Sequence, residues 1–224
     1  MTPQTVIDDV RVLINDTETG SYRYSDDSLL KFVNESLKRT AHIRPDLFST
    51  FDTMACTVST TVQTAPTDSI RLIDVLQVTG GNSPYESDRK TMDQHSPGWR
   101  AAAEGACTTW MRHPRSPNTF FIYPKCPAAG QNLEIEYGKV PSDYAIGDTI
   151  VELHDSYKSV VVDCVVFLTQ SIDDEHVLSG RAKMFYESFT TALGLSAKAR
   201  ELTDNDEAGV SPPPEDQLRK ANAA

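Results

Sequence analysis

The hydrophobic pattern of this chain changes its period twice, and that segregation restricts the fold more than any other feature. Apolar residues recur at helical spacing up to about residue 44, alternate as in strands over much of 50–150, and return to helical spacing from about residue 155. Helical and strand-like stretches that are grouped in this way, not interleaved, argue for an α+β fold. The expected architecture is a helical bundle drawn from both chain ends, residues 1–49 and 151–202. It carries an inserted antiparallel β-rich domain at 50–150 and a flexible or extended tail at 203–224.

The helices have recognisable ends. The first is expected at about 3–16, with Val6, Val10, Leu13 and Ile14 on one face, Thr2 or Thr5 as cap and Pro3 in the first turn. The second starts at Ser25, a good N-cap, with Asp26 and Asp27 where the helix dipole favours negative charge. Its stripe is Leu29, Leu30, Val33 and Leu37, and Pro45 stops it. The third is expected at about 155–172, capped by Asp155, with Leu153 packing as a hydrophobic staple. Val160-Val161-Val162-Asp163-Cys164-Val165-Val166-Phe167-Leu168 has strong β propensity, yet its length and boundaries favour a helix apolar on nearly all sides, central to a bundle. The fourth is expected at about 178–202, with Ala182, Phe185, Tyr186, Phe189 and Leu193 at helical spacing.

Between them, strands are expected at Phe51–Val62, Ile70–Thr79, Thr119–Tyr123 and Asn132–Tyr137. The last two read as an antiparallel hairpin joined through Pro124, Pro127 and Gly130. Cys107–Met111 is a shorter candidate that pairs with Thr119–Tyr123 across His113–Asn118.

Charge and composition exclude several classes. A formal charge of −11 argues against a general nucleic-acid coat, because duplex binding rests on lysine and arginine neutralising phosphates. The segment 203–224 holds five acidic and two basic residues, so most of the acidity belongs to the residues before it. The N-terminal stretch lacks the basic-then-apolar order of a secretory signal, and no apolar run is long enough to span a bilayer. The four cysteines, Cys56, Cys107, Cys126 and Cys164, stand far apart without paired spacing. That suggests free thiols of a reducing cytoplasm, not a disulfide framework or zinc site.

No catalytic motif stands out: there is no G-x-S-x-G elbow, no phosphate loop, no H-E-x-x-H and no G-x-G-x-x-G. Gly80-Gly81-Asn82 follows a strand but lacks the helix and lysine of a phosphate cradle, so a turn is favoured. Cys107, Cys126 or Cys164 could meet one of His42, His95, His113, His154 or His176 as a nucleophile–base pair, an arrangement only geometry can test. Asp173-Asp174-Glu175-His176 carries metal-ligand types, but a solvated turn that caps the fourth helix is favoured. Asp163 reads either as a helix-edge acid facing water or a polar partner, or as a buried acid paired with Arg39 or Arg181. Trp99 and Trp110 beside Arg100 and Arg112 could stack on bases, but core or subunit-interface aromatics are favoured because no wider basic surface surrounds them. No catalytic residue, cofactor or metal ligand is assigned.

The order of these elements, with the residues of the second helix, resembles a known group. Tyr22-Arg23-Tyr24-Ser25-Asp26-Asp27-Ser28-Leu29-Leu30-Lys31-Phe32-Val33-Asn34-Glu35, then Ile43-Arg44-Pro45-Asp46, resembles the opening of podovirus-type phage head-to-tail adaptors, the tail tubular protein A class. Pro97-Gly98-Trp99, Phe120-Phe121-Ile122-Tyr123-Pro124, Leu133–Tyr137 leading to Pro141, and the helix with Arg181, Ala182, Phe185 and Tyr186 agree with it. The resemblance spans about residues 3–200 and implies no catalytic residues. It implies a virion neck component made in the host bacterial cytoplasm. Such a protein forms a ring of about a dozen copies, bound between a portal protein and a tail nozzle or hub protein. DNA would pass through the lumen without specific binding, and no membrane would be involved. Candidate subunit or partner contacts are Arg44, Asp46, Trp99, Trp110 and Met111, with Pro212, Pro213 and Pro214 in the tail. Other neck or tail-completion components, and a virion-associated hydrolase, are the alternatives.

Overall fold

The computed structural model describes residues 1–172 and 179–208. Its elements are α1 (Pro3–Ile14), α2 (Asp26–Ile43), β1 (Ser49–Ala55), β2 (Val62–Thr64), β3 (Ser69–Val78), β4 (Tyr85–Glu86), α3 (Arg89–His95), β5 (Thr109–Arg112), β6 (Thr119–Tyr123), β7 (Asn132–Lys139), α4 (Lys158–Gln170) and α5 (Ser179–Ala208). The class is α+β.

Local chemistry fixes the helix ends. The Thr2 hydroxyl accepts from the Thr5 N–H while the Thr5 hydroxyl accepts from the Thr2 N–H, a reciprocal cap on α1. Asn15, at φ 57°, closes that helix in the left-handed region that Asn tolerates. Ser25 accepts from the Ser28 N–H at the start of α2, and Pro45 opens a 3-10 turn, Pro45–Phe48, directly after its end. The expected cap on α4 differs: Asp155–Tyr157 form a separate 3-10 turn, the His154 ring nitrogen accepts from Ser156 N–H, and Tyr157 caps α4 without a side-chain bond.

Helix α4 packs against α1, α2 and α5. Val161, Val162, Val165 and Val166 join Val6, Ile7, Val10, Leu29, Val33 and Leu37 in one core. Val160 and Cys164 meet Phe189 and Leu193 of α5 in another. Apolar neighbours on several sides explain why a valine-rich run with strand propensity is helical here. Burial of a large apolar side chain contributes about 1.5–3 kcal/mol, more than the propensity difference.

Two sheets make up the β region. One has the order β1-β7-β3, all antiparallel, and the other β2-β6-β5-β4, with β4 parallel to β5. Their facing sides enclose Leu72, Val75, Trp110, Phe120, Ile122, Leu133, Ile135 and Tyr137. The opposite face of β5 and β6 offers Met111, Phe121 and Tyr123 to Trp99 and Met92, a small second core beneath α3.

Four expectations are corrected. Strands β6 and β7 are not a hairpin: they belong to different sheets, and the Pro124–Gln131 link carries the chain from one to the other. Both alternate and both have one buried face, so periodicity could not reveal their partners. Phe51–Val62 is not one strand. It breaks at Cys56–Thr61, where the buried Gln63 amide bonds to Thr57 N–H, Thr57 C=O and Thr60 C=O and holds the turn. Helix α3 lies between the strands expected at Ile70–Thr79 and Cys107–Met111, where no element is expected. Finally, α5 continues to Ala208 rather than ending at Leu202, and Thr203–Ala208 contains no glycine or proline to stop it.

The helices meet the sheets at one close approach. A Cβ on Gly138 of β7 would lie 2.5 Å from Pro45 Cβ and 2.6 Å from its carbonyl oxygen, so only glycine lets the turn after α2 sit on the sheet. No helix among the described residues is long and apolar enough to cross a membrane.

Candidate functional site

The residues expected at interfaces fall into three groups. Trp99 and Trp110 are each 1 % exposed and Met111 is fully buried. The Trp99 indole N–H donates to Asp93 Oδ1 at 2.8 Å, and its ring meets Phe121 edge-on at 5.8 Å. These three side chains are spent on the chain's own core and leave no surface for a neighbour. The indole hydrogen bond, helped by Arg100 and Arg89, holds the Asp93 carboxyl below its ordinary range.

Arg44 and Asp46 form an internal clasp. Arg44 Nε and Nη2 donate to the two Asp46 oxygens at 2.9 and 2.7 Å, and Nη1 donates to the Leu193 carbonyl of α5 at 3.0 Å. The guanidinium ties the end of α2 to α5, and its hydrogen bonds to the Asp46 carboxylate raise the Arg44 pKa above its usual value. Pro212, Pro213 and Pro214 lie outside the described residues, as does Asp173–His176.

Asp163 takes the milder of its two readings: its Oδ2 accepts from Ser188 Oγ at 2.7 Å. Arg39 pairs with Glu35 instead, and Arg181 donates to the Leu13 carbonyl.

The cysteines gather where spacing gave no hint. Cys56, Cys107 and Cys126 share the core between the sheets, all reduced, while Cys164 is buried against α5. Burial pushes Cys56 and Cys164 up to about 12 and Cys107 up to about 11. A nucleophilic cysteine needs the opposite shift. Cys107 Sγ and Cys126 Sγ donate to the carbonyls of Thr109 and Pro127. Among the described residues no group of three or more His, Cys, Asp or Glu side chains is placed to hold a metal ion.

One network escaped the sequence reading. Arg11, 5 % exposed, donates to Asp16 Oδ2 at 2.8 Å, to the Tyr24 carbonyl at 2.9 Å and to Asp26 Oδ1 at 2.5 Å, beneath the Tyr22 ring at 3.6 Å. Asp16 also accepts from the Arg23 N–H at 2.8 Å, so the Tyr22-Arg23-Tyr24 segment is fastened between α1 and α2. The available signal was an arginine one turn after Ile7, inside the apolar stripe of α1.

Other features of the described residues are exposed. The edge strand β1 presents Phe51 at 67 % exposure. A shallow groove between α2, α4 and α5 is lined by Ile43, Phe167, Tyr186 and Phe189, with Lys38, Arg39 and His42 at its rim. A cleft beside β3 gathers Arg71, Arg112, His113 and Arg115 on an otherwise acidic chain.

No curated protein matches the chain. A family model described as SU10 adaptor protein matches residues 1–213, nearly the whole sequence. The chain belongs to the SU10 adaptor protein family and is a phage adaptor protein.

Proposed function

We propose that this protein is the head-to-tail adaptor of a tailed phage, of the podovirus type and tail tubular protein A class. About a dozen copies form a ring that joins the portal protein to the tail nozzle and continues the DNA channel. The observation that carries this reading is the adaptor family match across residues 1–213. The packing of α1, α2 and α5 on α4 supports a discontinuous helical bundle from residues 1–49 and 151–202, on which the sheets of 50–150 form an inserted domain. The clasp of Arg44 on Leu193 ties the two chain segments of the bundle together, and the seating of Pro45 on Gly138 fastens the bundle to the sheets.

In this reading the protein is structural. The formal charge of −11, multiplied around a ring, repels DNA phosphates and lets the genome slide through without being held. The end of α5 and the residues after it, with their Pro212-Pro213-Pro214 run, dock against the portal. Deleting Gly209–Ala224 leaves a folded protein that co-sediments poorly with portal rings. Unchanged co-sedimentation discards that docking assignment.

A further inference from the structure

Sheet β1-β7-β3 has two edges, about 10 Å apart across the sheet, and they differ in every respect that governs association. The β3 edge is closed. Arg112 donates to the Leu72 carbonyl at 2.9 Å and to the Ile73 carbonyl at 2.5 Å, Leu72 N–H donates to the Pro117 carbonyl, and β-bulges interrupt the strand. The β1 edge is open. Its seven residues pair with β7 in unbroken register, five of the seven are exposed, and nothing among the described residues pairs with its outer side. Exposed edges of this length are normally blunted unless another chain covers them.

The surroundings of the two edges also differ in charge. Beside β3, a cleft of about 260 Å³ is bordered by Arg71 and Arg115, both exposed and neither in an ion pair among the described residues. On the β1 edge strand itself stands Asp52, and Glu136 lies next to it on the central strand β7, between Phe51 of β1 and Asp74 of β3. Neither carboxylate is paired with a cation among the described residues. Complementary patches at opposite edges of one sheet cannot satisfy each other within a chain. Between copies they form a head-to-tail contact of the kind that closes into a ring.

We propose that the β1 edge of one copy receives the Arg71/Arg115 cleft of the next, the arginines donating to Asp52, Glu136 and the open carbonyls of β1. The chain makes this kind of contact once within itself, where the Arg112 guanidinium covers the edge carbonyls of β3. Phe51 then becomes the apolar centre of the contact, shielded from water by the neighbour's Pro114 and Pro117. The inference rests on the ring reading above and names the surfaces that close the ring. Asp52 also bars the alternative in which two β1 edges pair about their midpoint, since it would meet its own copy.

The test measures assembly of the full-length chain, alone and on its portal, by native mass against protein concentration. Four samples are compared: the wild type, Arg71→Glu with Arg115→Glu, Asp52→Lys with Glu136→Lys, and an equimolar mixture of the two variants. Each variant should melt as the wild type does and assemble at least tenfold more weakly. The mixture should recover assembly, because the introduced glutamates of one variant then face the introduced lysines of the other. If a charge-reversed pair melts early, Arg71→Gln with Arg115→Gln replaces it and should weaken assembly without changing the fold. Wild-type rings with unaffected variants, or a mixture that does not recover, overturn the edge pairing and leave the ring reading standing. A wild-type chain that stays monomeric with portal present overturns the ring reading and the pairing with it.

Discussion

Arg44 is the position at which an assembly role and a folding role make opposite predictions. Its guanidinium makes three hydrogen bonds, at 2.9 and 2.7 Å to the Asp46 carboxylate and at 3.0 Å to the Leu193 carbonyl, with the residue 7 % exposed. Hydrogen bonds to charged groups contribute about 1.5–3 kcal/mol each. Asp46 keeps access to water and recovers part of the loss in Arg44→Ala, so about 2–4 kcal/mol is expected in total. For a chain of this size that lowers Tm by about 5–15 °C. Arg44→Lys keeps the charge but loses the planar fork, and should fall between alanine and wild type. Urea and thermal unfolding of the free chain read both. An Arg44→Ala variant that melts within about 1 °C of wild type, yet fails to assemble, refutes the clasp and returns Arg44 to a subunit contact.

Other predictions follow from the same geometry. Gly138→Ala should destabilise by about 1–3 kcal/mol, measured by urea unfolding, because the new methyl meets the Pro45 backbone; a neutral result means the turn can lift from the sheet. Cys56 and Cys107 titrate in the fold at about 12 and about 11, above the ordinary 9.0. The unfolded chain therefore releases these protons first. The stability they contribute is whole below pH 9.0 and is lost as pH rises through 11 and 12. Replacing both by alanine should flatten that alkaline decline, and an unchanged slope assigns it to other groups. The Asp93 carboxyl is held low by the Trp99 indole, so its stabilisation is present above the ordinary 3.8 and lost as pH falls through the lower folded value. Tryptophan emission should shift with a midpoint below 3.8, and Asp93→Asn should abolish that step.

Where the chain announces its own boundaries, reading and structure agree. Ser25 and Pro45 bracket α2, and Thr119–Tyr123 is a strand to the residue. Helix α4 was legible from its length despite its valines, because strands rarely run so long without a break. What was not legible depends on partners distant in sequence. Strand alternation states which residues face inward but not which sheet they join, so β6 and β7 were paired with each other. Helix α3 buries only Met92, too little for a period to show. The tryptophans illustrate the same limit: an aromatic beside arginines reads alike whether it faces a neighbour or the core, and only Asp93 and Phe121, brought close by the fold, decide it. Arg44 and Asp46 stand two apart and their ion pair is local, but the Leu193 carbonyl that gives the pair its structural role lies 149 residues away.

We propose above that this adaptor works as a closed ring on the portal. Electron cryo-microscopy of the full-length chain bound to its portal tests it most directly. A continuous ring coaxial with the portal channel is expected, with each β1 edge covered by the next subunit and an acidic lumen. Separate monomers scattered on the portal rim, or a portal left bare while the chain binds elsewhere in the virion, would contradict it.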